Sequence, residues 1–401
     1  MAPDTLPVPA ALARLEKLAL PVGGVFLLAC GAGFAIDRGQ LLRSWLFALL
    51  FWLGIAVGSL GLAMLNQLTG GLWGAVPRRL HEAAARTVPY LAILFVPVLL
   101  GAATIYPWAG PEAAADEVIR KKAAYLNVPF FAGRAVFYFA LWTGLAYLLS
   151  AWSAAQDASP DPARGARLRG LSGLGLVALS GATTFAAIDW GMSLAPHWFS
   201  TIYGVLFIVG WTLSALAFTI VLLARLSGEA PFDRALQPVT VHDLGKLLLA
   251  FTMLWAYVNF SQFLITWSGN LTEETPFYLR RFQGGWQVIA ILLLVFHFAL
   301  PFALLLSRPL KRNARALAAV AYLMLAMQLV DLFWLIGPDL AGHGPGAPPL
   351  HLSWMDLAAV AGIGGLWLFL FARQARTRPV LPVGEPAVRA LLAAPQRAEA
   401  H

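Results

Sequence analysis

A chain of 401 residues that is 59% hydrophobic and only 12% charged lies far from the roughly 25% charge of soluble domains, and a mean hydropathy of +0.71 points to an integral membrane protein. The net charge of +8 comes from Lys and Arg scattered over connectors and the C-terminal stretch, which reads as a topology signal rather than a nucleic-acid patch. With Cys30 as its one cysteine, the chain by itself can build neither an iron–sulfur cluster nor a c-type haem site.

Residues 1–17, Pro- and Ala-rich with Asp4 and Glu16, read as a cytoplasmic segment before a retained first helix rather than as a cleaved signal. Apolar runs of about 20 residues, enough to cross roughly 30 Å of hydrocarbon, then recur ten times: 18–36, 44–65, 87–106, 129–153, 168–188, 199–224, 242–268, 286–306, 316–336 and 352–372. Each must be helical, because unpaired backbone in lipid is too costly and barrel alternation is absent. The fold class is therefore all-α, one ten-helix transmembrane domain over 18–372. Pro97 and Pro301 predict kinks. Connector 337–351, with Gly342, Gly344, Pro345, Gly346, Pro348 and Pro349, reads as a flexible loop, and 373–401 as a disordered cytoplasmic tail.

Placing both termini in the cytoplasm puts 19 Lys and Arg on the inner side and 7 on the outer, the bias expected of that orientation. It sends the stretch Asp189-Trp190-Gly191-Met192-Ser193-Leu194-Ala195-Pro196-His197-Trp198 to the outer side, between the fifth and sixth helices. This connector holds an acid, an imidazole and two indoles but no Lys or Arg, a composition suited to a fixed surface at headgroup depth. An acid at the edge of the hydrocarbon needs a partner. Arg134, five residues after Pro129, is either a snorkelling cation or the partner of an outer carboxylate such as Asp189 or Asp331.

On the inner side, His242, Asp243 and Lys246 open the seventh helix at i, i+1 and i+4. They form either a cap with an ion pair or the inner mouth of a proton path. Farther along come Tyr257, Asn259, Ser261 and Gln262, then His297 at mid-depth in the eighth helix and Gln328 and Asp331 in the ninth. Such groups commonly glue helices together. Spread over several helices they also form a broken polar ladder, and neutral imidazole can both donate and accept a proton or bond a quinone carbonyl. His297 is the one histidine well inside an apolar run, so a b-type haem lacks its axial pair.

The stretch Asp189-Trp190-x-Met192-Ser193-Leu194-x-Pro196-His197-Trp198-x-Ser200-Thr201-Ile202-Tyr203-Gly204 resembles the membrane subunits of bacterial alternative complex III, the quinol:cytochrome c oxidoreductase, and most of all the smaller of its two polytopic subunits. A second match is His242-Asp243-Leu244-Gly245-Lys246 with Phe251, Trp255-Ala256-Tyr257, Phe260-Ser261-Gln262 and Gly269-Asn270-x-x-Glu273-Glu274-Thr275. The two cover about 90 continuous residues. Ala195 and Phe199 depart from the family pattern, which often has an acid and a Tyr there.

The resemblance is to the polysulfide-reductase (NrfD-like) membrane family. It implies two four-helix bundles, helices two to five and six to nine, with flanking helices, in a bacterial inner membrane. It implies an outer site at the matched Asp189, His197 and Trp198, to which the reading of the residues themselves adds Arg134 for a quinone site and a proton path through His242, Asp243, Lys246, Tyr257, His297, Asp331 and Asp189. It implies a quinone or menaquinone as ligand, haem c and iron–sulfur clusters in partner subunits, and as partners an iron–sulfur protein, multihaem and monohaem cytochromes c, and a paralogous membrane subunit. This chain would serve an oxidoreductase without a redox centre of its own. A purely structural scaffold and a stand-alone transporter are the rival readings, although paired broken helices at matching positions, the usual sign of a transporter, are not seen.

Overall fold

In the computed structural model, which describes residues 6–340 and 349–393, every regular element is a helix. Among the described residues ten are long and apolar enough to cross a membrane: α1 (Ala10–Ile36), α2 (Arg38–Thr69), α3 (Arg78–Leu100), α4 (Val128–Ala158), α5 (Pro162–Leu194), α6 (Tyr203–Leu226), α7 (Pro238–Gly269), α8 (Trp286–Leu306), α9 (Ala314–Leu340) and α10 (Trp354–Arg376). This is the architecture of a multi-pass membrane protein. The connector between α5 and α6 lies at one end of the helices, here the motif end.

Local chemistry sets the helix starts. Asp37 caps α2 by accepting from Gln40 N–H at 2.9 Å, Asn127 caps α4 through Phe130 N–H at 2.9 Å, and Ser353 with Asp356 forms a capping box on α10. Asn270, the one non-glycine residue with positive φ among those described (47°), closes α7. Pro97 lies inside α3. Pro301, which cannot donate to the carbonyl four residues before it, follows a π-helical stretch over Leu293–Ala299, where Leu300 N–H reaches back to the Val295 carbonyl.

Neighbour relations organise the helices. α2 packs on α3 and α5, α4 on α3 and α5, α6 on α7 and α9, and α8 on α7 and α9. α2 and α6 meet at the centre, and α1 lies along α10, which in turn packs on α2. The central approach needs glycine: a Cβ on Gly58 would sit 2.2 Å from the Trp211 carbonyl oxygen. α2 is accordingly buried along most of its length.

Two expectations are corrected. α3 begins at Arg78 rather than near 87, because Arg78, Arg79, His81 and Glu82 are buried against protein partners: Arg79 pairs with both Glu82 and Asp157, and His81 Nε2 lies 2.9 Å from Thr219 Oγ1. The stretch after α10 is an ordered strap up to residue 393. Val380, Leu381, Val383 and Val388 are buried, Glu385 pairs with Arg78 at 2.9 Å, Gly384 N–H donates to Asp157 at 2.8 Å, and Pro386–Ala393 forms a final helix, α11. Residues 394–401 of the expected tail, Asp4, and Gly342, Gly344, Pro345, Gly346 and Pro348 lie outside the described residues.

Candidate functional site

Asp189 is the second-to-last residue of the α-helical part of α5 (Pro162–Trp190) and has no exposed surface. A buried carboxylate there requires compensation, and α4 supplies it. Arg134 Nε donates to Asp189 Oδ2 at 2.8 Å and Nη2 to Oδ1 at 2.9 Å, a bidentate pair of the strong, planar kind. Tyr138, one turn along α4, adds its hydroxyl to Oδ2 at 2.7 Å. The guanidinium is also held by the Tyr125 carbonyl at 3.0 Å and stacks over the Tyr125 and Phe130 rings, 3.8 and 4.3 Å from their centroids. Of the two carboxylates open to Arg134 in the sequence, the structure pairs it with Asp189.

The connector leaving Asp189 is fastened along its length. Ser193 takes the Trp108 indole N–H at 3.1 Å and donates to the Asp189 carbonyl at 2.5 Å. Lys122 Nζ donates to the Pro196 carbonyl at 2.6 Å, and partial burial lowers this ammonium's pKa. His197 Nε2 lies 2.8 Å from Asp116 Oδ2. The Asp116 carboxyl is held below its ordinary pKa first by the Ile119 backbone N–H, with His197 contributing. Trp198 stacks on Phe277, centroids 3.9 Å apart at 13°, and Ser200 donates to Gln262 of α7 at 2.5 Å. His197 and Phe199 remain exposed.

Beside this connector opens a cleft of 1130 Å³. Its walls include Ile105, Tyr106, Asp116, Lys122, Pro196, His197, Trp198, Phe199, Phe277, Arg280 and Asp339. His197 and Trp198 thus reach the cleft, whereas Asp189 and Arg134 stand behind it and hold the connector in place. A second buried pair, legible in the sequence only as connector charges, stands at the same end: Arg281, with no exposed surface, donates from Nη2 to Asp339 Oδ2 at 2.7 Å.

The ladder residues separate into groups. His297, fully buried, lies flat on Trp255, centroids 4.0 Å apart at 18°, with its Nε2 2.9 Å from Gln328 Nε2. Trp255 N–H donates to Asp331 at 3.0 Å, and Ser214 reaches Gln328 at 3.4 Å. This network joins α6, α7, α8 and α9 at mid-depth. Tyr257 does not join it, being 69% exposed, and Asn259 donates back to the Trp255 carbonyl at 3.0 Å. Asp243 and Lys246 form an exposed ion pair at 3.0 Å at the far end of α7, with His242 beside them. Among the described residues no three His, Cys, Asp or Glu side chains converge to hold a metal ion.

Tyr138, Trp255, Phe277, Arg281 and Asp339 complete these arrangements although sequence reasoning gave them no such role. The signal for Tyr138 was its place four residues after Arg134, on the same helix face. Compared with known proteins, the chain matches no family model and no curated protein.

Proposed function

We propose that this chain is a membrane subunit of a quinol:cytochrome c oxidoreductase of the alternative complex III type, the ActF-type quinone-binding subunit. In this reading both termini are cytoplasmic in a bacterial inner membrane, helices two to five and six to nine are the two bundles of the NrfD-like family, and the motif end faces outward. The observation that carries it is the connector itself: the stretch bearing the resemblance is fastened by Arg134, Lys122, Gln262 and Phe277 and presents His197 and Trp198 to a large cleft.

The cleft fits a quinol head in kind. The stacked Trp198 and Phe277 supply apolar wall, and His197, Arg280 and Asp339 supply polar groups. Oxidising a quinol releases two electrons and two protons. Electrons pass to the iron–sulfur clusters and haem c of an iron–sulfur protein and of multihaem and monohaem cytochromes c, with a paralogous membrane subunit as a further partner, so catalysis belongs to the whole complex. This chain contributes binding surface and proton-accepting groups, His197 at the cleft and the His297, Gln328 and Asp331 network within the membrane.

A pull-down of the tagged chain in mild detergent tests this, with haem and iron assayed and quinol:cytochrome c turnover followed. Co-elution of c-type haem, iron–sulfur protein and turnover is the expected result; a colourless, well-folded single polypeptide would sink it. The mutual satisfaction of Arg134, Asp189 and Tyr138 favours the scaffold reading as well, and His297→Ala or Asp331→Asn leaving turnover intact in an assembled complex would select it.

A further inference from the structure

The two buried Arg and Asp pairs at the motif end stand at matching places in the chain. Arg134 closes the run Pro129-Phe130-Phe131-x-x-Arg134, and Arg281 closes Pro276-Phe277-Tyr278-x-x-Arg281. In each case the guanidinium lies over the ring of the Phe four residues before it, 4.3 Å from the centroid for Phe130 and 3.4 Å for Phe277. Each arginine binds the acid next to the end of the last long helix of its unit, Asp189 in α5 (through Trp190) and Asp339 in α9.

The other end repeats too: Pro77-x-x-x-His81-Glu82 opens α3 and Pro238-x-x-x-His242-Asp243 opens α7. Each unit spans four helices, so both run in the same direction. The packing agrees with a twofold relation, because α2 meets its counterpart α6 at the centre, and the contact of α5 with α6 is matched by one of α9 with α2.

The copies differ in what covers the phenylalanine. Phe130 is 49% exposed, whereas Phe277 is 5% exposed because Trp198, from the connector that ends the first unit, stacks on it. Arg281 holds Phe277 from the other side, and also donates to the Phe277 carbonyl at 2.9 Å and the Leu335 carbonyl at 2.6 Å. A continuous stack therefore runs from Trp198 through Phe277 to Arg281, anchored on Asp339.

We propose that Arg281 and Asp339 of the second bundle are a positioning pair for the connector that ends the first. The pair sets Trp198 through Phe277 and thereby fixes one wall of the cleft. Lysine in place of Arg281 keeps the charge opposite Asp339 but loses the planar face and the forked donors.

Hydrogen exchange of the purified full-length chain tests this, because local opening is read peptide by peptide. In Arg281→Lys, amides of 195–203 exchange about tenfold faster while α2, α10 and the rest of α6 keep their protection. Phe277→Leu, which leaves the ion pair intact, reproduces that local change, and the double variant adds little to either. Unchanged exchange over 195–203, faster exchange throughout the chain, or simple addition of the two effects would each overturn the proposal. None of these readouts requires quinol or partner subunits.

Discussion

His297 and Trp255 lie face to face at 4.0 Å, and the same indole donates its N–H to Asp331. The tryptophan thus serves a polar group on α8 and another on α9 at once. Trp255→Phe keeps an aromatic face for His297 but leaves Asp331 without its donor. Leaving a buried acceptor without its donor costs about 1–3 kcal/mol, so thermal unfolding in detergent should shift down by a few degrees. Adding Asp331→Leu should recover most of the loss; an unchanged melting point in the single variant would show that Asp331 is stabilised by something else.

Arg134 and Asp189 should behave as a unit. Arg134→Met alone leaves a fully buried carboxylate facing Tyr138 and costs roughly 3–5 kcal/mol. Combining it with Asp189→Leu removes the stranded charge and restores most of that stability. Denaturant or thermal unfolding of the three variants measures the coupling, and a double variant no better than the single would refute the pairing as the source of the effect.

Asp116 gives the connector a dependence on acid. Its carboxylate accepts the Ile119 and Val118 N–H groups at 3.2 and 2.9 Å and pairs with His197, and its pKa is lowered in the folded chain. The stabilisation is therefore complete above the ordinary carboxylate value, about 3.9, and is lost as pH falls through the lower folded value. A spin label at Val118→Cys, in a Cys30→Ser background, should gain mobility over that acid range, and Asp116→Asn should abolish the step.

Close contact between α1 and α10 depends on facing glycines. A Cβ on Gly365 would lie 2.4 Å from Gly23 Cα, so Gly365→Val must push the helices apart. Cys30 sits on α1 and is 3% exposed, which makes it a reporter: maleimide should label it about tenfold faster in Gly365→Val as local opening becomes easier. Equal labelling rates would show that the helices accommodate the branch without separating.

The ten spans were legible because twenty-residue apolar runs leave few alternatives, and the run 286–306 coincides with α8. Arg134 was legible as a cation near an acid, but not which acid, since residues 55 apart in sequence meet only through packing of α4 on α5. Arg78 and Arg79 were counted as topology charges because composition cannot show that Glu82, Asp157 and Glu385 converge on them. Arg281 was overlooked for the same reason, although Pro-Phe-aromatic-x-x-Arg occurs twice. The strap was obscured by its Pro and Arg content; Val380-Leu381-x-Val383 was the signal that it buries something.

That strap also bears on the order in which the protein matures. Arg78 and Asp157 belong to early helices, yet their partners Glu385 and Gly384 follow them by 307 and 227 residues. The early helices therefore carry incompletely compensated charges until the strap has been made. A nascent chain that stalls or is clipped short stays marked by them, which distinguishes it from a finished molecule.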